Sequence, residues 1–451
     1  MPHTRGGPPR RRTHIVLVPG FAGFDALGQL EYYADVTPLF SEWRDRHPRH
    51  RTVALRYFDN FPTAEVATRA DRLLRYLAKR VARGEFQPGD RVALVGHSTG
   101  GLDIRCLLSQ LARAPRRQTR VDGARRVALG VGGTQLLDFV DRVVFLSVPH
   151  RGTNIADWVA GYRLGVQLMI QQLRATVGAA DLPAMRPFQD LAAGAAAWLA
   201  STDVLLAVQD ALREADTGLD EAGPGVLGAQ EAAAALALWL RYMATDFAAI
   251  DDLSVRQPSG REPSPAQVGE AEREREQAAW AAHGIAVRSY ATLAKPPIEA
   301  PPGAAEAWNP LKPWTYARCA PDAPDDALYY ACYCACAGGP FAPPHTGTAA
   351  RLRHLRPEHA SRLASWGVGK TLQPWENDGI VNTASMVWPG AGDTVLVPAD
   401  HMDIVGHYRR VAVAGPSRRA YHTYDLLASR SGFGDDTFRD VWEDVLAFCC
   451  E

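Results

Sequence analysis

Four short runs, residues 13–18 (Thr-His-Ile-Val-Leu-Val), 52–57 (Thr-Val-Ala-Leu-Arg-Tyr), 91–95 (Arg-Val-Ala-Leu-Val) and 142–147 (Arg-Val-Val-Phe-Leu-Ser), are apolar, rich in β-branched residues and bounded by turn formers. That pattern predicts buried strands. Between the second and third run, Val66, Leu73, Leu74, Leu77 and Val81 fall on one helical face, with Thr63 as the opening residue and Gly84 as the stop. Strands alternating with helices predict a parallel α/β sheet. After Gly152 the pattern changes to long Ala- and Leu-rich segments at 155–177, 192–213 and 229–249, and no strand is expected until 285–291. This reads as a helical insertion. Within it, Trp239, Leu240, Met243, Phe247 and Ile250 recur at helical spacing and are expected to form core. Residues 256–278 and 296–303 read as linkers because of their prolines and charge, and no internal repeat is found. The resulting division is a core half at 13–150, a helical cap or lid at 151–284 and a second core half at 285–451.

A chain of 451 residues with 47% hydrophobic side chains has ample core, and its length suits one large domain with an insertion, or two domains. Its 49 basic and 50 acidic residues leave a net charge of −1, which removes the long-range attraction that nucleic acid or an anionic membrane needs. No run approaches about eighteen consecutive apolar residues, so no transmembrane helix is expected. The segment from Met1 to Arg12 is basic and rich in Pro and Gly, but the apolar run after it, Ile15 to Val18, is too brief for a signal peptide. A cytoplasmic protein is expected, or a secreted one whose leader precedes this sequence. Among the seven cysteines, Cys332, Cys334 and Cys336 alternate in an apolar stretch. In a strand all three would point the same way, either toward a metal or, as the preferred reading, into a packed core. Cys449 and Cys450, beside Phe448, read as packing residues.

The chemistry concentrates at Gly96-His97-Ser98-Thr99-Gly100, followed by Gly101, between the strand at 91–95 and a helix carrying Ile104, Leu107, Leu108 and Leu111 on one face. A nucleophilic serine must be lifted above the sheet on a tight strand-to-helix turn, and glycines on either side let backbone and helix approach. The strand-turn-helix context is what turns a common short motif into a candidate nucleophile, Ser98. A serine is a weak nucleophile at neutral pH and needs a histidine base oriented by a carboxylate. Asp378, in a polar turn that runs into an apolar stretch, and His401, just past a strand at 394–398, stand in the order expected. His407 and His422 are the rival bases, and Asp393, Asp400 and Asp403 the rival acids. Acyl transfer also needs donors aimed at a developing oxyanion. The amide of Thr99 and that of Phe21, in the glycine-rich loop after the first strand, are the candidates.

These residues resemble the bacterial true lipases of the α/β-hydrolase superfamily. Val18-Pro19-Gly20-Phe21-Ala22-Gly23-Phe24-Asp25 is similar to that family's oxyanion loop. Gly96 to Gly101 with Ile104-Arg105 is similar to its nucleophile elbow, and Val148-Pro149-His150-Arg151-Gly152-Thr153 to its Pro-His-x-Gly turn. Asn377 to Met386 and Asp400 to Gly406 resemble its acid and histidine loops. The resemblance implies an α/β-hydrolase fold, a Ser98–Asp378–His401 triad and an oxyanion hole from the Phe21 and Thr99 amides. Two departures stand out: Pro19 occupies a position where the family commonly has His, and there is no zinc-binding insertion of the kind some members carry. Asp403, two residues after His401, matches a carboxylate with which many members hold a structural calcium ion. No cofactor is implied for the chemistry itself.

The expected reaction is hydrolysis of a carboxylic ester. An apolar cap, with Trp158, Leu164, Leu168, Met169, Trp198 and Trp239 among its candidates, suggests a lid over a long-chain acyl pocket and hence a lipase acting at a lipid interface. An esterase on short soluble esters or a polyester depolymerase is the alternative within the class. A hydrolase-like scaffold used for binding is the alternative outside it, and its signature would be a broken triad. The sequence leaves oligomeric state and natural substrate open.

Overall fold

The computed structural model describes residues 12–21, 26, 27, 30–113, 136–161, 248–256, 262–296, 327–338, 351–369, 371–389, 393–409, 411–414 and 420–451. Its centre is a seven-stranded sheet built from β1 (Thr13–Val18), β4 (Val53–Tyr57), β5 (Arg91–His97), β6 (Val140–Leu146), β7 (Ala286–Leu293), β8 (Arg351–Arg353) and β9 (Asp393–Pro398). Two small antiparallel pairs stand apart, β2 (Ala26–Leu27) with β3 (Leu30–Glu31) and β10 (Val411–Ala414) with β11 (Ala420–Thr423). In the main sheet the order is β4-β1-β5-β6-β7-β9-β8, and every pairing is parallel. The runs at 52–57, 91–95, 142–147, 285–291 and 394–398 are strands shifted or extended by one or two residues.

The strands read as continuous apolar runs because helices cover both faces. Side chains alternate between faces with period two. Val16, Val18, Val92, Leu94, Val143 and Phe145 therefore pack under α2 (Val66–Ala82), α3 (Thr99–Arg113) and Trp280 of α6 (Glu270–Ala282). Ile15, Leu17, Ala93, Val95 and Val144 pack on the other face, under α1 (Val36–Arg46) and α9 (Asp435–Cys450). Because all seven strands run the same way, the segments after β1, β5, β6, β7 and β9 emerge along one edge. That edge gathers residues 19–21, 98–101, 147–152, 294–296 and 399–407.

Several local expectations are corrected. Helix α2 does not open on Thr63, since its N-cap position is Glu65 without a side-chain cap. Asp252, at the end of α5 (Ala248–Leu253), accepts from the Val66 amide at 2.7 Å instead, so the cap arrives from 186 residues away. The 256–278 stretch is not all linker, because Glu270–Ala282 is helical, with Arg273 and Glu276 buried beside Trp280. Cys332, Cys334 and Cys336 lie in helix α7 (Ala327–Ala337), not in a strand. An unbroken apolar run carries no period to separate helix from strand, and Ala and Leu favour the helix. Cys332 and Cys336 are buried one turn apart, and burial pushes the Cys332 thiol up to about 12, the state of a packing side chain rather than a thiolate ligand. Cys449 is buried and Cys450 half-buried in α9, in the core with Phe448. Most of the insertion lies outside the described residues, including the segments at 192–213 and most of 229–249, and with them Leu164, Leu168, Met169, Trp198, Trp239, Leu240, Met243 and Phe247. Trp158 is half-buried in α4 (Asn154–Gly161), and Ile250 is buried in the core.

Candidate active site

Ser98 sits between the last residue of β5 and the first of α3 with φ +53°, a left-handed conformation that costs a non-glycine residue energy and is held by its surroundings. The turn is tight enough to exclude side chains at its flanks. A Cβ on Gly96 would lie 2.7 Å from Gly101 Cα, one on Gly100 2.3 Å from the Val18 carbonyl oxygen, and one on Gly101 2.2 Å from Val148 Cγ2. The Ser98 amide donates to the Leu146 carbonyl at 2.9 Å, tying the turn to the next strand. Ser98 is 6% exposed and packs against Gly20, where an added Cβ would lie 2.6 Å from the Ser98 Cβ.

The structure brings His401 and Asp378 together. His401 Nδ1 lies 2.7 Å from Asp378 Oδ2, and the His401 amide donates to the Asp378 carbonyl at 3.0 Å. The carboxylate is saturated with donors. Thr292, in β7, donates its hydroxyl to Oδ2 at 2.6 Å, and the amides of Ile380 and Val381 donate to Oδ1 at 3.0 and 2.7 Å. Ser147 supports Thr292 in turn, at 2.8 Å. With Nδ1 committed to the carboxylate, the imidazole presents Nε2 as its free basic atom. Among the described residues no hydrogen bond joins the Ser98 hydroxyl to His401, a contact that in unliganded sites is often long and tightens with substrate.

The rivals are placed elsewhere. His407 is buried, with Nε2 3.2 Å from the Tyr32 carbonyl, and burial lowers its pKa to about 4. His422 lies in β11 and Asp393 opens β9. Asp400 and Asp403 flank His401 and form, with Asp425, a cluster whose carboxylate oxygens lie within 4.8 Å of one another. Asp400 Oδ1 accepts from the amides of Met402 and Asp403, while its buried Oδ2 has no hydrogen-bond partner among the described residues. Burial, with the neighbouring carboxylates adding, raises Asp400 to about 7 and Asp403 well above the ordinary range.

The loop after β1 is held from both sides. Arg69, fully buried on α2, donates to the carbonyls of Pro19 and Gly20 at 2.9 and 3.1 Å and to those of Phe61 and Pro62, while its Nε bonds Asp103. A trans peptide points its N–H opposite its C=O. Fixing the Gly20 oxygen on Arg69 therefore turns the Phe21 amide the other way. Gly20 itself donates to the Tyr32 hydroxyl at 2.9 Å. Among the described residues no acceptor takes the Phe21 or Thr99 amide. The turn after β6 braces the acid loop: Arg151 donates to the Ala384 and Val387 carbonyls, and His150 O accepts from buried Arg105 and Arg273.

A parallel sheet of this strand order, a left-handed serine after its third-placed strand and a paired Asp and His on the same edge decide the architecture. The chain has an α/β-hydrolase fold. Solved structures similar to it include lipase 1 from Pelosinus fermentans, at 16% identity and a TM-score of 0.37 over 97% of this chain and 98% of that one. Bacillus licheniformis lipase BlEst2 in its mature form is 13% identical, with a TM-score of 0.36 over 88% and 89%. Staphylococcus hyicus lipase is likewise 13% identical, with a TM-score of 0.36 over 98% and 97%. No family model matches the chain. Among curated proteins, Protein SERAC1 of Bos taurus and of Homo sapiens are each 28% identical over 151 residues, 33% of this chain, and the match spans only 17% of their own length.

Thr292, Ser147, Tyr32, Arg69 and Asp425 were not singled out by the sequence. Arg69 had a usable signal: it lies on the face of α2 shared by Val66, Ala70 and Leu73, where a charge must find a buried partner.

Proposed function

We propose that this protein is a serine hydrolase of carboxylic esters, acting as a lipase on acylglycerols. The observation that carries the reading is the 2.7 Å contact of His401 Nδ1 with a fully buried Asp378, on the same sheet edge as a serine held at φ +53°. In this reading Ser98 Oγ bonds to the acyl carbon and passes its proton to His401 Nε2. Asp378 stabilises the imidazolium, and the oxyanion faces the Phe21 and Thr99 amides. Collapse releases the alcohol with that proton, and a water repeats the steps on the acyl-enzyme. Every proton is moved by His401, so the chemistry calls on no cofactor. An apolar substrate at an interface is supported by Trp375, 45% exposed and three residues before Asp378, the one large hydrophobic side chain so exposed among the described residues. No helix among the described residues is long and apolar enough to cross a membrane.

The test is hydrolysis of p-nitrophenyl esters from acetate to palmitate by wild type and Ser98→Ala. Turnover of the long chains, lost about 10⁴-fold or more in the variant, is the expected result. Activity that vanishes beyond about eight acyl carbons would move the substrate to short or polymeric esters. No turnover and no labelling by a fluorophosphonate would leave a binding scaffold.

Asp400, Asp403 and Asp425 fit a calcium ion: three carboxylates, hard oxygen donors, converge, and one of their oxygens, the buried Oδ2 of Asp400, has no hydrogen-bond partner among the described residues. We propose that they hold a structural calcium that neutralises their mutual repulsion and fixes the His401 loop. EDTA is expected to lower the melting temperature of the wild type and calcium to restore it. Asp425→Asn is expected to blunt both effects, and a melting temperature indifferent to EDTA would refute the site.

A further inference from the structure

Three loops carry the proposed chemistry, and they are joined by one buried chain of hydrogen bonds that the mechanism does not itself use. His97, the residue before Ser98, is fully buried. Its Nε2 lies 2.9 Å from the main-chain oxygen of His401 and its Nδ1 2.7 Å from the Tyr32 hydroxyl, which also accepts the Gly20 amide at 2.9 Å.

The proton positions follow from the partners. A carbonyl only accepts, so His97 Nε2 carries the hydrogen. The neutral imidazole then has a lone pair on Nδ1, and the Tyr32 hydroxyl must donate to it. That leaves the tyrosine oxygen's lone pairs for the Gly20 N–H. The chain therefore runs in one direction: Gly20 N–H to Tyr32, Tyr32 O–H to His97, His97 N–H to the His401 carbonyl. Burial holds His97 well below its ordinary pKa, and the nearby His401 and His407 add to the effect. Burial likewise holds the Tyr32 phenol well above its usual value. Neither end of the relay titrates in the working range. The His97 and His401 rings stand 4.7 Å apart, so a neutral His97 also keeps a second positive charge away from the imidazolium that catalysis forms.

We infer that Tyr32 and His97 are positioning residues that lock the oxyanion loop and the histidine loop to the nucleophile turn as one unit. The inference rests on the hydrolase reading. Through Tyr32 the Gly20 amide is held, setting the peptide before the Phe21 donor. Through His97 the backbone of the base is held. Loss of the chain lets two groups that act in the transition state drift, while groups that only bind substrate are left in place. Misplacement by about 1 Å is enough to cost on the order of 10²-fold in rate.

The experiment compares wild type, Tyr32→Phe, His97→Gln and the double variant on one p-nitrophenyl ester, with melting temperatures and the rate of Ser98 labelling by a fluorophosphonate. Tyr32→Phe deletes one oxygen and keeps the ring, so the fold is retained. The expected result is a fall in kcat of about 10- to 100-fold in each single variant, with KM within about twofold. Labelling slows in step. If one chain carries both effects, the double variant is little worse than the worse single one. A Tyr32→Phe protein with wild-type kcat, or fully multiplicative losses in the double variant, overturns the inference while leaving the hydrolase reading intact. Wild type that neither labels nor turns over removes both at once.

Discussion

Replacing Arg69 with methionine removes a charge from the interior and exposes how much the molecule depends on it. Arg69 is fully buried and forms an ion pair with equally buried Asp103, which Asn60 also contacts at 3.0 Å. It serves four main-chain carbonyls besides. Methionine is close in length and fills the channel, so lost volume contributes little. Breaking one side of a buried pair costs about 3–5 kcal/mol, because the partner is left charged and unpaired. At about 2 °C per kcal/mol for a large domain, the melting temperature should fall by about 6–10 °C.

The pH dependence makes the prediction specific. In the wild type burial raises Asp103 to about 6, above its ordinary 3.8. The folded protein thus binds a proton more readily than the unfolded chain between those values, and stability declines as pH rises from about 4 to about 6, then levels off. Without the guanidinium the folded value climbs further and the decline continues past 6. The gap between wild type and Arg69→Met should therefore widen from pH 5 to pH 8, by about 1.4 kcal/mol for each additional unit. Thermal denaturation at the two pH values measures this. Arg69→Met/Asp103→Leu should recover much of the loss, since an apolar pair replaces the ionic one at little cost. A melting temperature within about 2 °C of wild type at pH 8, or an equal loss at both pH values, would refute the reasoning.

Asp378→Asn should retain the fold but lose about 10⁴-fold in kcat, because an amide in place of the carboxylate no longer fixes the His401 tautomer; steady-state kinetics on a p-nitrophenyl ester reads this directly. Gly101→Ala places a methyl 2.2 Å from Val148 Cγ2 and should destabilise by about 1–3 kcal/mol in urea unfolding, with Val148→Ala restoring part of it. Glu376, buried beside the acid loop, is raised by burial to about 7 from 4.5. Its charge thus costs stability that wild type loses as pH rises between those values. Glu376→Gln should gain in melting temperature over wild type from pH 4.5 to 7.5, and parallel profiles would count against it.

How legible this was depended on whether a feature is written locally. Ser98 could be found because its glycines, its strand and its helix are contiguous in the chain. His401 and Asp378 could be found because the acid and the base follow in a fixed order and each ends a recognisable strand or turn. Helix α7 was misread because Ala, Leu, Tyr and Cys without polar interruption give no period. Helix α6 was misread for the opposite reason: its buried face holds Arg273 and Glu276, ion-paired to Glu270 and Arg105, where a hydrophobic stripe is usual. The supports of the site were invisible because they are long-range. Thr292 is 86 residues from Asp378, Tyr32 65 from His97, and Asp252 186 from the amide it caps. No windowed pattern connects such pairs, and only closure of the parallel sheet brings them to one edge.

The ends of that sheet have a consequence for the molecule's behaviour in a crowded solution. A terminal strand exposes main-chain donors and acceptors on one side and can recruit a strand from another molecule. Among the described residues the outermost strand at one end, β8, is three residues long, Arg351-Leu352-Arg353, and Arg353 is paired with Asp444. At the other end β4 carries Arg56, paired with Glu85. A ladder of three residues offers a second copy little to pair with. The sheet thus ends, on the side of β8, in a border too short to seed stacking into fibres.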